Sequence, residues 1–303
     1  MLKERNRSLP SRRKVQGWLT GYLFVLPVIL GLIFFTMGPM LLSLYYSFTS
    51  YDILTPPKWT GLENFRRLFT DDTFWISLRV TFRYALISVP LSLILSGLLS
   101  ILLLRPLHGI SIYRAIFYLP VVVPPVATAI LFADLYSVRY GVANYLLRSL
   151  GLPEYTWISR PETALNALIV MSLWGIGAST IIWLAGLQSI PSNLYDAAEV
   201  DGASPLRRFW HVTVPMLTPV IFFNLVIGVI TSLQTFIQVF VLTAGGPANS
   251  TLFIVLKIYQ EGFQNFQMGY ASAIAWVFFV IILLLTVLIF RTSGWVYYEG
   301  ETR

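Results

Sequence analysis

Six long stretches of the chain lack Asp, Glu, Lys and Arg: 15–51, 84–104, 115–133, 163–195, 212–256 and 262–290. A membrane-crossing helix needs about 20 mostly apolar residues, so each stretch has room for one. The stretch 212–256 is long enough for two, but Gly245-Gly246-Pro247 interrupts it, and Asn249, Ser250 and Thr251 follow. That is the chemistry of a turn leaving the membrane. Beyond it a shorter, partly amphipathic segment carries Lys257 and Glu261. The pattern predicts helices near 19–45, 80–104, 113–136, 163–186, 217–242 and 269–290. The expected fold is all-α: a polytopic membrane protein of six transmembrane helices. A basic arm over 1–18 precedes a transmembrane domain over 19–292, and a short tail covers 293–303.

Composition agrees with the pattern. The 303 residues are 56% hydrophobic and only 12% charged, half the charged share of an ordinary soluble domain, and the mean hydropathy is +0.71. The absence of cysteine excludes a disulfide framework and thiolate metal or redox chemistry. The net charge of +7 reads as cytoplasmic retention of loops rather than as a nucleic-acid footprint. With six spans, the side holding both termini, the 105–114 turn and the 187–215 loop carries twelve Lys and Arg against six acids; the other side carries nine against eight. Both termini and the 187–215 loop are therefore expected in the cytoplasm. Trp18, Trp75, Tyr113 and Trp295 fall near span ends, as interfacial anchors do. Lys3, Arg5, Arg7, Arg12, Arg13 and Lys14 precede the first apolar run as in a signal peptide. That run is too long for a signal core and lacks a small-x-small cleavage site, so it is expected to remain as the first helix.

The loop between the fourth and fifth spans has a structure of its own. After Pro191, Ser192 suits an N-cap, and 194–200 reads as a short helix lined by Asp196, Glu199 and Asp201, with Leu194, Ala197 and Ala198 as a small apolar patch. Gly202 permits the left-handed conformation that ends such a helix. Ser204 then caps a second helix with Pro205 at its first position, and Arg207, Arg208, Phe209, Trp210 and His211 decorate it. Pro215 and Pro219 start the next span. On physics alone, this helix–turn–helix either rests on headgroups or enters a groove on a partner.

Tyr195-Asp-Ala-Ala-Glu-Val-Asp-Gly-Ala203, followed by Phe209 and Thr213-Val-Pro215, resembles the "EAA" loop of ABC-importer permeases, with Asp196 where that family usually has glutamate. Thr60-Gly-Leu-Glu-Asn-Phe65 looks like the family's GLxNF, Leu242-Thr-Ala-Gly-Gly-Pro247 like its LTxGGP, and Phe263 with Gly269-Tyr-Ala271 like the start of its sixth helix. In this order around the loop the motifs are specific, and the chain is similar to the first permeases of maltose-type and glycerol-phosphate importers. The resemblance implies that the loop is a coupling helix pair for an ATPase cleft. Tyr195, Asp196, Ala197, Ala198, Asp201, Gly202, Ala203, Phe209 and Pro215 would be its coupling residues. It also implies a second permease forming a heterodimer, two ATPase subunits that bind ATP and Mg, and an external solute-binding protein, in a bacterial cell membrane. No G-x-x-x-x-G-K-[ST] occurs, so nucleotide phosphates would be cradled by a partner, with no cofactor on this chain.

Polar residues inside spans are costly in lipid and tend to face inward. Ser172, Trp174 and Ser179 on the fourth span and Thr231, Ser232, Gln234, Thr235 and Gln238 on the fifth are the candidate substrate pathway. The resemblance implies sugar contacts in the same two regions. These side chains equally suit hydrogen bonds between helices. Segment 121–125 is apolar and offers no polar contribution. Disaccharide, oligosaccharide, polyol and glycerol phosphate all suit such a scaffold; without a pair of basic residues inside the spans, a neutral sugar is favoured. An ion-coupled secondary transporter would need an ionisable group near the midplane, and Arg79, Arg83 and Asp134 lie near span ends instead. His108 and His211 sit in separate loops without metal-ligand spacing, which argues against an enzyme.

Overall fold

The computed structural model describes residues 12–105 and 108–297; Lys3, Arg5, Arg7 and most of the expected tail lie outside them. Helix α1 (Arg12–Leu32) runs through a π-helical turn at Ile33–Met37 into α2 (Gly38–Ser47). A two-stranded antiparallel hairpin, β1 (Thr49–Ser50) with β2 (Lys58–Trp59), and α3 (Glu63–Thr70) lead to α4 (Asp72–Leu104). Then follow α5 (Ile110–Val122), α6 (Pro125–Leu135), α7 (Val142–Ser149), α8 (Pro161–Ser172) and α9 (Gly177–Gln188). The loop holds α10 (Ser192–Val200), α11 (Pro205–Arg208) and α12 (Val214–Met216). Last come α13 (Thr218–Leu233), α14 (Ile237–Leu242), α15 (Ile254–Tyr259) and α16 (Met268–Arg291). Gly21–Ser47, Asp72–Leu104, Thr218–Leu242 and Met268–Trp295 are long and apolar enough to cross a bilayer, and the pairs α5–α6 and α8–α9 bring the number to six if each is one bent span. Helix α4 is central, packing on α9 and α13, while α16 packs on α2 and α6 on α14.

Three expected helices are broken. The third span, expected over 113–136, turns by 100° between α5 and α6. Two consecutive prolines follow Val123, and a residue before proline is pushed out of the helical region; Val123 has ψ 128° and Pro124 ψ 139°. The fourth bends by 48° through a 3-10 turn at Leu173–Gly175. There Gly177 lies so close to the Phe117 carbonyl of α5 that a Cβ would collide with it. The fifth stops at Leu233 and resumes at Ile237, with Phe236 at φ −135° between them. The second span departs the other way, starting at Asp72 rather than near 80. Its N-cap Asp71 accepts hydrogen bonds from the backbone N–H of Thr73 (2.8 Å) and Phe74 (3.3 Å), satisfying donors that the helix leaves unpaired.

The motif residues at the end opposite the 187–215 loop are structural. Asn64 donates to the carbonyls of Ser47 (3.0 Å) and Thr49 (2.9 Å), and Phe65 packs on Phe48 at 5.2 Å. Gly269 donates its N–H to Tyr51 O (3.1 Å). Thr251 Oγ1 donates to Gly246 O (2.6 Å), closing the turn after Gly245 (φ +92°). Expected to be partly amphipathic, α15 instead turns Lys257 inward: 3% exposed, it reaches Asp71 at 2.8 Å, Glu261 at 3.1 Å and Thr73 at 2.6 Å. Tyr270 donates its hydroxyl to Asp71 at 2.6 Å. Burial by itself would raise the Asp71 carboxyl, but hydrogen bonds from Lys257, Thr73 and Tyr270 and the Lys257 charge outweigh it and hold the group well below the usual carboxylate range.

Candidate functional site

The breaks in α5–α6, α8–α9 and α13–α14 all border cavities beside α4. A cavity of about 430 Å³ is walled by Ser88 and Ser92 of α4, Ser179 of α9, and Asn224, Thr231 and Ser232 of α13. A smaller one of about 200 Å³ adds Pro120, Val121, Val123, Pro125 and Thr128 from the broken third span, with Met171 and Trp174. Tyr84, Ser172, Gly175, Thr235 and Gln238 line both. Irregular backbone at membrane depth is tolerated where it borders such a cavity, so the local proline and glycine chemistry and the cavity account for one another.

Of the eight pathway candidates, Ser172, Trp174, Ser179, Thr231, Ser232, Thr235 and Gln238 line these cavities. Gln234 does not; it caps the C-terminus of α13 and is exposed. The walls contain no charged side chain. Their hydroxyls donate to their own helix backbones: Ser172 to Ile169 O (2.6 Å), Thr231 to Ile227 O (2.8 Å), Ser232 to Val229 O (2.9 Å). A hydroxyl so used keeps acceptor lone pairs for a ligand. Ser179 has a different environment: it lies 3.0 Å from Ser96 Oγ and donates to Asn224 Oδ1 at 2.8 Å, joining α4, α9 and α13. Trp174 is 45% exposed, its ring edge-on to Phe132, leaving a face for stacking. The sequence pattern passed over Tyr84, Ser88 and Ser92 because α4 has no conspicuous polar cluster. The signal was their spacing, four residues apart on one face.

The loop is a helix–turn–helix, as its caps predict, with one change. Pro191, not Ser192, occupies the cap position of α10, with no side-chain cap bond. Helix α10 ends in a Schellman arrangement: Ala203 N–H to Ala198 O (2.9 Å), Gly202 N–H to Glu199 O (2.9 Å), and Gly202 at φ +73°. Ser204 caps α11 by accepting from Arg207 N–H at 3.4 Å. Arg208 pairs with Glu199 at 2.7 Å, bracing α10 against α11.

The loop has two faces. Tyr195 turns back to the bundle, its hydroxyl 2.9 Å from Thr213 Oγ1, packed with Ile101, Trp183, Leu187, Ile190 and Leu217. Ala198, Ala203, Phe209 and Pro215 are half-buried, whereas Asp196, Ala197, Asp201 and Gly202 are exposed. Beside them stand Val200, 88% exposed, and Leu206, 69% exposed, two apolar groups the motif did not single out.

This architecture has relatives. The chain is 45% identical to a probable ABC transporter permease protein, YesP, of Bacillus subtilis (strain 168), over 93% of each chain. It is 32% identical to the trehalose/maltose transport system permease protein MalF of Thermococcus litoralis, over 95% of this chain and 98% of that one. Its fold matches a crystal structure of a bacterial ABC transporter involved in import of the acidic polysaccharide alginate, with TM-score 0.81 at 24% identity over 93% and 97% of the two chains. Residues 109–297, spanning the bent helices, the loop and the last spans, match the binding-protein-dependent transport system inner membrane component family, and the chain belongs to it as an ABC-importer permease.

Proposed function

We infer that this chain is the membrane permease through which an ABC importer passes a carbohydrate, taking the solute from an external binding protein. The observation that carries this reading is an uncharged, hydroxyl-rich cavity at the breaks of three helices, on the same frame as an exposed, braced helix pair. Hydroxyl and amide acceptors with one exposed indole suit a sugar ring, and no cation in this chain's wall awaits a phosphate or carboxylate. The trehalose/maltose relative points to the same solute class.

In this reading the Asp196, Ala197, Asp201 and Gly202 face docks on one of two ATPase subunits, which hold ATP and Mg. Tyr195 and Thr213 tie the loop to the bundle. A second permease completes the pathway, and both termini and the loop lie on the cytoplasmic side. ATPase closure then pushes a rigid helix pair, and the bundle alternates access around the cavity.

The test is Gly202→Val in the full complex reconstituted in proteoliposomes. A β-branched residue at φ +73° costs about 1–2 kcal/mol locally, while no atom lies within 4 Å of the added Cβ, so the lesion is conformational and confined to the turn. Uptake is expected to be lost, with solute binding to the external protein unchanged. A variant complex that still couples ATP hydrolysis to uptake overturns the reading, as does wild-type uptake persisting without ATP.

A further inference from the structure

Helix α7 lies between the third and fourth spans, at the end opposite the 187–215 loop, and one of its faces is fixed. Asn144, fully buried, accepts from Tyr155 N–H (3.1 Å) and Trp157 Nε1 (2.9 Å) and donates to Tyr155 O (3.0 Å). Trp157 stacks on Tyr136 at 4.7 Å, and the Tyr136 hydroxyl donates to Ala167 O at 2.9 Å. Ala167 is well inside α8, which begins at Pro161, about 9 Å from that start at the usual helical rise. Ala143, Trp157 and Ile158 pack on the same core as Leu165 and Leu168. The start of α7 is folded onto the end of the third span, where a Cβ at Gly141 would collide with the carbonyls of Leu135 and Ser137. The helix therefore lies beside the bundle, level with the first turns of α8, rather than above it. Its other face is bare. Val142, Tyr145 and Leu146 are each more than half exposed and share one side of the helix. Tyr140 and Leu150 extend that patch. Arg139, exposed, and Arg148, paired with Glu154 at 3.6 Å, flank it.

We propose that α7 lies in the surface of the bilayer, with Val142, Tyr145 and Leu146 at the acyl-chain boundary and Arg139 and Arg148 at the lipid phosphates. An apolar face bordered by tyrosine and arginine has the chemistry of an interfacial helix. Its sideways position, level with the spans, points that face at lipid. A soluble binding protein fits less well, because it leaves after each delivery and a contiguous apolar patch would then stand in water. The Asn144 clasp fixes the roll of the helix, so the apolar side cannot turn inward without breaking three hydrogen bonds. Seated this way, α7 holds the joined ends of α6 and α8 at one depth. The inference depends on the spans alone and not on the solute.

The chain has no cysteine, so Val142→Cys and Tyr145→Cys can each carry a single spin label in a full complex whose other subunits are made cysteine-free. The complex is reconstituted in vesicles of phosphatidylethanolamine and phosphatidylglycerol. Relaxation of each label by oxygen and by a water-soluble nickel chelate is compared with that of phospholipids labelled at known depths. Oxygen is expected to relax both labels more than nickel does, placing them about 5–10 Å into the boundary between headgroups and acyl chains, with or without binding protein. Leu146→Cys replaces either variant that fails to assemble. Labels reached freely by nickel overturn the proposal, and protection that appears only with loaded binding protein gives the face to that partner instead. Immobile labels reached by neither reagent give it to the second permease, which overturns the proposal equally. None of these outcomes touches the cavity, so the uptake reading stands or falls separately on Gly202→Val.

Discussion

Lys257→Met is expected to destabilise the protein by about 3–5 kcal/mol, the usual result of removing one partner from a buried ion pair. The Lys257 side chain is 4% exposed, and its carboxylate partners Asp71 and Glu261 are 18% and 13% exposed. Methionine fills much of the space but leaves two partly buried negative charges facing each other. Thermal unfolding of the detergent-solubilised complex measures the loss. Adding Asp71→Asn and Glu261→Gln to Lys257→Met should recover most of it, because asparagine can still cap α4 and no buried charge remains. A Lys257→Met protein as stable as the parent would remove the cluster from the fold's energetics.

The pH dependence separates the two proteins. In the parent, Asp71 has a folded value below its unfolded one. Its contribution is then fully present above the unfolded carboxylate value of about 3.9 and is lost as pH falls toward the folded value. Stability from this group is therefore flat from neutral pH down to about pH 5 and erodes only in stronger acid. In Lys257→Met, Asp71 loses its counter-ion while burial still raises it, so acidification should cost that variant less stability than it costs the parent.

Gly269→Ala is the second large effect. A Cβ at this position would be driven into the carbonyl oxygen of Thr49 and would lie 3.2 Å from that of Tyr46. Both are backbone atoms, so no rotamer change relieves the collision. The N–H of Gly269 also holds Tyr51 O at 3.1 Å, and the neighbouring Tyr270 hydroxyl is fixed on Asp71. Displacing α16 strains both of these hydrogen bonds, and overpacking of this kind costs about 1–3 kcal/mol or more. The expected result is reduced assembly and a lower unfolding temperature, with the isolated loop 187–215 unaffected. Gly202 is a different case, open in space and constrained only by its φ, so Gly202→Ala should cost less stability than Gly269→Ala.

The amino-acid pattern alone determined the helical membrane fold, its six charge-free stretches, and the loop's turn at Gly202 and cap at Ser204. Those features depend on nearest neighbours along the chain: apolar length, a capping hydroxyl, a residue free to take positive φ. Seven of the eight polar span residues it singled out line the cavities; a polar side chain within an apolar span is itself a local signal. The tertiary structure decided the rest. The Pro124-Pro125 break could have been read locally, but where the broken ends meet could not. Gly177 and Gly269 are needed for backbones distant in sequence. Lys257, expected on an amphipathic face, was drawn inside by Asp71, 186 residues earlier. Tyr84 is one aromatic among many until packing sets it at the wall of both cavities. Periodicity records which face a residue occupies; only packing records what stands opposite it.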